Sequence, residues 1–206
     1  MKHRARDLSA LRSESKRLGV PITASQAGRL LDFERLLRDR AIPMGLVAES
    51  DEPRLRERHV LDCLRAAATV GNAVSAYDLG SGAGLPGIAV AVAVPTLSVA
   101  LIESRRRRVS FLELAVEELE LANAQVIPLP VELVAGEADL CFARAFAPLR
   151  SAWACAVRIL APGGRMVYFA GSEPGRHEIP DDARLLEVRT SAVLESAGPL
   201  VIMARQ

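Results

Sequence analysis

The chain has 206 residues, half of them hydrophobic and a quarter charged, with a formal net charge of +1. With a mean hydropathy of +0.18, this composition excludes disordered, collagen-like and low-complexity classes, and the length suits one domain with an extension rather than two full enzyme domains. The near-zero charge hides an asymmetry: residues 1–70 hold 14 basic and 10 acidic side chains, residues 71–206 hold 12 and 15, and all basic residues except Lys2 and Lys16 are arginine.

Lys2, Arg4, Arg6 and Asp7 open the chain with no apolar run behind them, so no secretory leader is expected. The first 17 residues carry 6 basic and 2 acidic side chains, which suits an anionic partner or a solvated helical face. Leu8, Leu11 and Leu18 fall on one face of a first helix. Ser25 is placed to cap a second, carrying Leu30, Leu31, Phe33, Leu36 and Leu37 and broken by Pro43 and Gly45. A third is expected from about Pro53 to Val70, stopped by Gly71. Together they read as an N-terminal helical cap over residues 1–70.

The pattern then alternates. Ala73–Leu79 is an apolar strand ending in a glycine-rich turn, Leu85–Val94 a small-residue helix, Leu97–Ile102 a strand and Arg105–Leu121 an amphipathic helix. Strands follow at Val126–Leu129 and Leu140–Ala143. A helix over Leu149–Leu160, a turn at Pro162-Gly163-Gly164 and a strand at Met166–Ala170 come next. Leu185–Val188 and Leu200–Met203 suit an antiparallel pair. Residues 71–206 are therefore expected to form an α/β unit, a Rossmann-like, doubly wound, mostly parallel seven-stranded sheet. The uncharged stretch Leu85–Ile102 contains Pro86, Gly87, Pro95, Thr96 and Ser98, so it reads as helix, turn and strand and not as a membrane span. Cys63, Cys141 and Cys155 are odd in number and widely spaced, which suits apolar core positions in a reducing cytoplasm, with neither a disulfide framework nor a metal site.

Asp78-Leu79-Gly80-Ser81-Gly82-Ala83-Gly84-Leu85-Pro86-Gly87 carries the most chemistry. It joins the first strand to a helix, at the sheet end where ligands of open α/β folds bind. Gly82, Gly84 and Gly87 match the dinucleotide spacing G-x-G-x-x-G, which seats a pyrophosphate on free backbone N–H groups. Pro86 removes one such N–H, and Asp78 adds a negative charge, so both oppose a phosphate. Asp78, Gly80, Gly82 and Gly84 instead resemble the first motif of class I S-adenosylmethionine-dependent methyltransferases. That cofactor carries an ammonium and a sulfonium, which a carboxylate favours. Glu103 closes the second strand, where an acid can accept from both ribose hydroxyls; nicotinamide enzymes place an acid there too.

The surrounding segments narrow the resemblance. Arg58-His59-Val60-Leu61-Asp62-Cys63-Leu64 precedes the strand; Leu101-Ile102-Glu103-Ser104, Arg107-Arg108-Val109-Ser110-Phe111-Leu112 and Ala143-Arg144-Ala145-Phe146-Ala147-Pro148-Leu149 follow it. In this order, over about residues 28–171, they resemble the bacterial small-subunit ribosomal RNA methyltransferase G family, also called glucose-inhibited division protein B. The resemblance implies methyl transfer from S-adenosylmethionine to guanine N7 in 16S ribosomal RNA near the decoding site. It also implies S-adenosylhomocysteine as product, and 16S ribosomal RNA or the small ribosomal subunit as partner. The cofactor segment would comprise Asp78, Gly80, Ser81, Gly82, Gly84, Leu85, Pro86 and Gly87, with Glu103 and Ser104 along the ribose and Val131, Glu132 and Arg144 completing it. No membrane and no metal are expected, and the chain is expected to be a monomer.

Guanine N7 has an in-plane lone pair and no proton, so it needs no general base; positioning with water excluded is enough. Arg144, at the end of the fourth strand, is expected on guanine O6 or the cofactor carboxylate, or else paired with an acid. Arg58, His59, Arg105, Arg107 and Arg108 are candidate RNA contacts, of which the Arg105–Arg108 run opposes the dipole of its own helix. His59 equally suits a hydrogen-bonded packing residue. Two positions depart from the family pattern: Pro130 stands where an Arg is usual, and Ala170 where a Lys precedes glycine. These leave open a same-fold methyltransferase acting on another RNA or a small molecule; a nicotinamide oxidoreductase and a non-catalytic ribosome-assembly binder are the further alternatives.

Overall fold

A computed structural model describes residues 2–205. Seven strands form one sheet: β1 Ser75–Leu79, β2 Ser98–Ile102, β3 Ala124–Ile127, β4 Ala138–Arg144, β5 Leu160–Phe169, β6 Ala183–Arg189 and β7 Leu200–Arg205. Their spatial order is β3-β2-β1-β4-β5-β7-β6. The first five strands pair in parallel, while β7 runs antiparallel to both β5 and β6. The chain winds outward from β1 to β3, then returns to lay β4 beside β1. The carboxyl ends of β1 and β4 therefore flank the switch point, where an open parallel sheet leaves a crevice.

Side chains along β4 alternate between faces, with Leu140 and Phe142 on one and Cys141 and Ala143 on the other. The first face packs against α4 (Gly87–Ala93), α5 (Arg106–Glu118) and the N-terminal helices; the second packs against α6 (Leu149–Ala156) through Ala152, Trp153 and Ala156. Leu11, Leu30, Phe33 and Leu64 of the N-terminal segment share one continuous core with Val99 and Leu101 of β2. Cys63 and Cys141 lie inside the core, Cys155 is half-buried, and all three are free thiols.

The N-terminal helices are α1 (Lys2–Arg17), α2 (Ala24–Leu36) and α3 (Asp62–Ala67). Ser25 does not cap α2. Thr23 does: its Oγ1 accepts from Gln26 N at 3.2 Å while Gln26 Oε1 accepts from Thr23 N at 2.8 Å. The reciprocal pairing satisfies two orphan donors, which Ser25, already inside the first turn of the helix, has no geometry to do. Gln26 Nε2 then donates to the carbonyls of Val92 and Ala93, fastening α2 to the end of α4.

The continuous helix expected from Pro53 to Val70 is also corrected. A 3-10 turn (Glu49–Arg54) and a π turn (Arg56–Leu61) precede α3, and a second π turn (Leu37–Ala41) ends α2. The helix expected to reach Leu160 stops at Ala156. Pro162-Gly163-Gly164 lies within β5, where residues 161–164 bulge out between the Ala138–Leu160 and Leu140–Arg165 pairings. No helix among the described residues is long and apolar enough to cross a membrane, and they form no metal-binding group of His, Cys, Asp or Glu.

Candidate active site

The turn after β1 folds back on its own strand end. Asp78 is only 1% exposed, and its Oδ2 accepts from Gly87 N at 3.1 Å, the first amide of α4. Burial pushes this carboxyl up to about 7, against the amide bond, which favours the charged form. No cation forms an ion pair with it among the described residues. Ser81 Oγ donates to the Asp78 carbonyl at 2.9 Å and Ser81 N to Ile102 O at 2.9 Å, pinning the loop to β1 and β2. Ser81, Gly84, Leu85, Pro86 and Gly87 are buried beneath the loop surface, and the Leu85–Pro86 peptide is cis. Gly80 has φ +63°, and a Cβ there would stand 2.5 Å from the Phe146 ring. Only glycine accommodates both that backbone and the ring lying on it.

Glu103 ties three elements together. Its Oε1 accepts from Arg105 N at 2.9 Å; its Oε2 accepts from Gly82 N at 3.2 Å and Arg108 Nη1 at 3.3 Å. A carboxylate offers about four acceptor directions, so one on Oε1 stays open. The same carboxylate offsets the arginines at the start of α5 by placing negative charge at the helix N-terminus. Arg108, expected on RNA, is thus engaged on Glu103, while Ser104, Arg105, Arg106 and Arg107 are exposed.

Two cavities lie side by side at the strand ends. One, of about 260 Å³, is lined by Gly80, Glu103, Ser104, Val131, Glu132 and Phe146, among others. It brings together five positions expected to hold the cofactor, drawn from three separate stretches of sequence. The second, of about 600 Å³, lies between the N-terminal segment and the ends of β4 and β5, with Arg58, His59, Asp62, Arg65, Arg144 and Ala170 in its walls. Ala145 lines both. Its φ of +51° costs a non-glycine residue of order 1–3 kcal/mol and turns the chain sharply between Arg144 and Phe146. Sequence reading missed Ala145 and Phe146, because nothing about an Ala-Phe pair signals a left-handed backbone.

Arg144 spans from β4 to the N-terminal segment. Its Nη2 donates to Arg58 O at 3.0 Å and to His59 Nδ1 at 3.2 Å, and stands 3.4 Å from Asp62 Oδ2. The guanidinium also lies 5.9 Å over the Phe169 ring. Of the two roles expected for Arg144, pairing with an acid is therefore present in the chain itself. His59 is buried with both ring nitrogens engaged, the second 3.0 Å from Asp51 Oδ2. Arg58 is half exposed and paired with Asp51 at 3.2 Å.

This arrangement defines a Rossmann-like methyltransferase fold. A solved S-adenosylmethionine-dependent methyltransferase from Aquifex aeolicus is similar, with a TM-score of 0.56 and 15% identity over 79% of this chain and 97% of that one. A point mutant of MtNAS, solved in complex with S-adenosylmethionine, gives 0.57 and 18% identity over 96% and 77%. The family model for rRNA small subunit methyltransferase G (GidB) matches residues 26–196, and the chain belongs to that family. Relatives named ribosomal RNA small subunit methyltransferase G include that of Kineococcus radiotolerans, 36% identical over 87% of this chain and 75% of its own. That of Burkholderia thailandensis is 35% identical over 88% and 84%, and that of Salinispora arenicola 42% identical over 68% and 62%.

Proposed function

We propose that this chain transfers the methyl group of S-adenosylmethionine to guanine N7 of small-subunit ribosomal RNA. The observation that carries the reading is Asp78, a buried carboxylate at the switch point that forms no ion pair among the described residues and, of the cations, feels only the charge of Arg144. Such a charge is costly to bury, and a ligand with an ammonium and a sulfonium supplies the missing counter-charge. The Glu103 oxygen with an open acceptor direction suits a ribose, and the cavity of about 260 Å³ between Gly80, Val131 and Phe146 suits the nucleoside. When bound, the cofactor supplies a methyl carbon attached to a positively charged leaving sulfur. The guanine N7 lone pair forms the new N–C bond as the S–C bond breaks with its electron pair retained on sulfur. No proton moves, so the residues hold, orient and exclude water.

In this reading Arg144 lies beside the acceptor, in the wall of the larger cavity. Arg144→Ala is expected to lower turnover about 100-fold with cofactor affinity within a few-fold of the parent. The assay is transfer of labelled methyl to small ribosomal subunits lacking the modification, compared with naked 16S RNA and a metabolite extract. Label appearing only in the extract would overturn the RNA reading, and calorimetric binding of NADH without S-adenosylhomocysteine would overturn the methyltransferase reading.

The exposed Arg105, Arg106 and Arg107 suit phosphate contacts. Successive helix positions diverge, so no more than two share a surface. Replacing Arg105 and Arg107 with Ala is expected to reduce the salt slope of RNA binding by up to about two, one per lost phosphate contact. Affinity unchanged between roughly 50 and 300 mM salt in the parent would remove that interface.

A further inference from the structure

The hydrogen-bond and ion-pair partners of Arg144 all belong to the N-terminal segment, and all converge on one nitrogen. Nη2 meets Arg58 O, His59 Nδ1 and Asp62 Oδ2 within 3.4 Å. Nη1 and Nε make no hydrogen bond among the described residues, although the side chain lines the cavity of about 600 Å³. A guanidinium has no lone pair to offer, so Nδ1 of His59 must accept. The single proton of the neutral ring then sits on Nε2, donated to Asp51 Oδ2 at 3.0 Å. Asp51 is braced from its other oxygen by Arg58 Nε at 3.2 Å. Asp62 is braced by Arg65, whose Nη2 also donates to Gly198 O at 2.8 Å, on the far wall of the cavity.

We propose that His59 is a positioning residue: a neutral bridge from Asp51 to Nη2 of Arg144 that anchors one edge of the guanidinium to the cap and leaves the other for the acceptor. The proposal rests on Arg144 acting at the acceptor and adds what holds it there. A protonated ring would set an N–H against the Arg144 donor and a second cation beside it. The charged groups facing the ring are Asp51 from the 3-10 turn, Arg58 from its own turn and Arg144 from β4, with Glu57, Asp62 and Arg65 in the same cavity. Burial, and then the Arg144 charge, hold the imidazole below its ordinary range. The bridge is therefore intact at neutral pH and fails as the solution becomes acid.

The test uses the full chain with His59→Asn, His59→Gln, His59→Ala and Arg144→Ala. Asn can place its Oδ1 where Nδ1 accepts from Arg144; Gln can place its amide where Nε2 donates to Asp51. Nitrogen NMR of His59 is expected to show an unprotonated Nδ1, with a titration that moves upward in Arg144→Ala. His59→Ala is expected to lower kcat about 10-fold or more with KM for S-adenosylmethionine nearly unchanged, and His59→Asn to recover most of it. His59→Asn should also lose the fall in kcat on the acid side of neutrality. A protonated Nδ1, or a loss in His59→Ala that His59→Asn does not recover while Tm falls in parallel, would overturn the bridge. An inactive Arg144→Ala beside a fully active His59→Ala overturns the bridge alone. A fully active Arg144→Ala overturns the acceptor-side reading of Arg144 together with it.

Discussion

Asp78→Asn is expected to weaken S-adenosylmethionine binding at least 10-fold, about 1.4 kcal/mol, while raising the Tm of the ligand-free chain at pH 8. The two effects have one cause. Asn keeps an oxygen able to accept from Gly87 N but removes the charge that the fold buries. Because the folded carboxyl titrates at about 7 against an ordinary 3.8, the folded state holds its proton more tightly than the unfolded chain. Its stability contribution is therefore complete below about pH 4 and lost as pH rises through about 7. The parent is expected to lose stability over that window and Asp78→Asn to lose less. His59 runs the other way: its pKa is lowered by burial and the Arg144 charge, so it costs stability as pH falls below its ordinary 6.5. Cofactor affinity should rise between pH 6 and 8 in the parent, as Asp78 ionises, and be flat in the variant. S-adenosylhomocysteine, which lacks the sulfonium charge, should be less affected. Calorimetry across that range checks both, and equal affinities for parent and variant would remove Asp78 from the site. That combined outcome would be the pattern of a functional group kept at a cost in stability.

Much of the frame was legible because it rests on local periodicity. The apolar runs at Val99–Ile102 and Leu140–Ala143 are buried on both faces, as are Ala76 and Leu79 of β1, and continuous apolar runs of that length between turns mark central parallel strands. Asp78 and Glu103 stood out because each is an acid at the carboxyl end of a strand pattern, Asp78 one residue before the end of β1 and Glu103 directly after β2. What was not legible depends on contacts between distant segments. The π turns at Leu37–Ala41 and Arg56–Leu61 keep helical φ and ψ, so no breaker residue announces them. The second of these ends at Leu61, directly before α3, and sets the backbone that carries Arg58 and His59. Asp51 lies 93 positions from Arg144, and only the folded chain brings both to His59. Arg108 shows the converse error. Its sequence context, a run of four arginines, suggested an outward charge, yet its position in the first turn of α5 brings it within 3.3 Å of Glu103. Ala170, where a Lys is usual, lines the larger cavity together with Arg58, Arg65 and Arg144, each of which is paired there with Asp51 or Asp62.

Gly87→Ala is expected to be strongly destabilising. Gly87 opens α4 beneath β1 and β2, and a Cβ there would stand 2.6 Å from Asp78 Oδ2 and closer still to Leu101 Cδ2. Neither neighbour has room to move. Leu101 is fully buried in the centre of β2, and Asp78 is held by the Gly87 amide itself. Relief requires α4 to lift from the sheet, and α4 is buried along nearly its whole length, with Gln26 fastened to its far end. Overpacking of this kind costs about 1–3 kcal/mol where side chains can adjust, and the added loss of the Asp78–Gly87 bond leaves a buried carboxylate unpaired, for about 1–3 kcal/mol more. At about 2–4 °C per kcal/mol for a chain of this size, the fall in Tm should be near 10 °C. Asp78→Ala combined with Gly87→Ala removes one of the two clashes and the orphaned charge, so the pair should be less damaging than the sum of the single changes. A Gly87→Ala chain that melts within about 2 °C of its parent would mean that α4 is free to lift from the sheet. The form of the glycine turn would then not rest on the packing of α4 on β1 and β2.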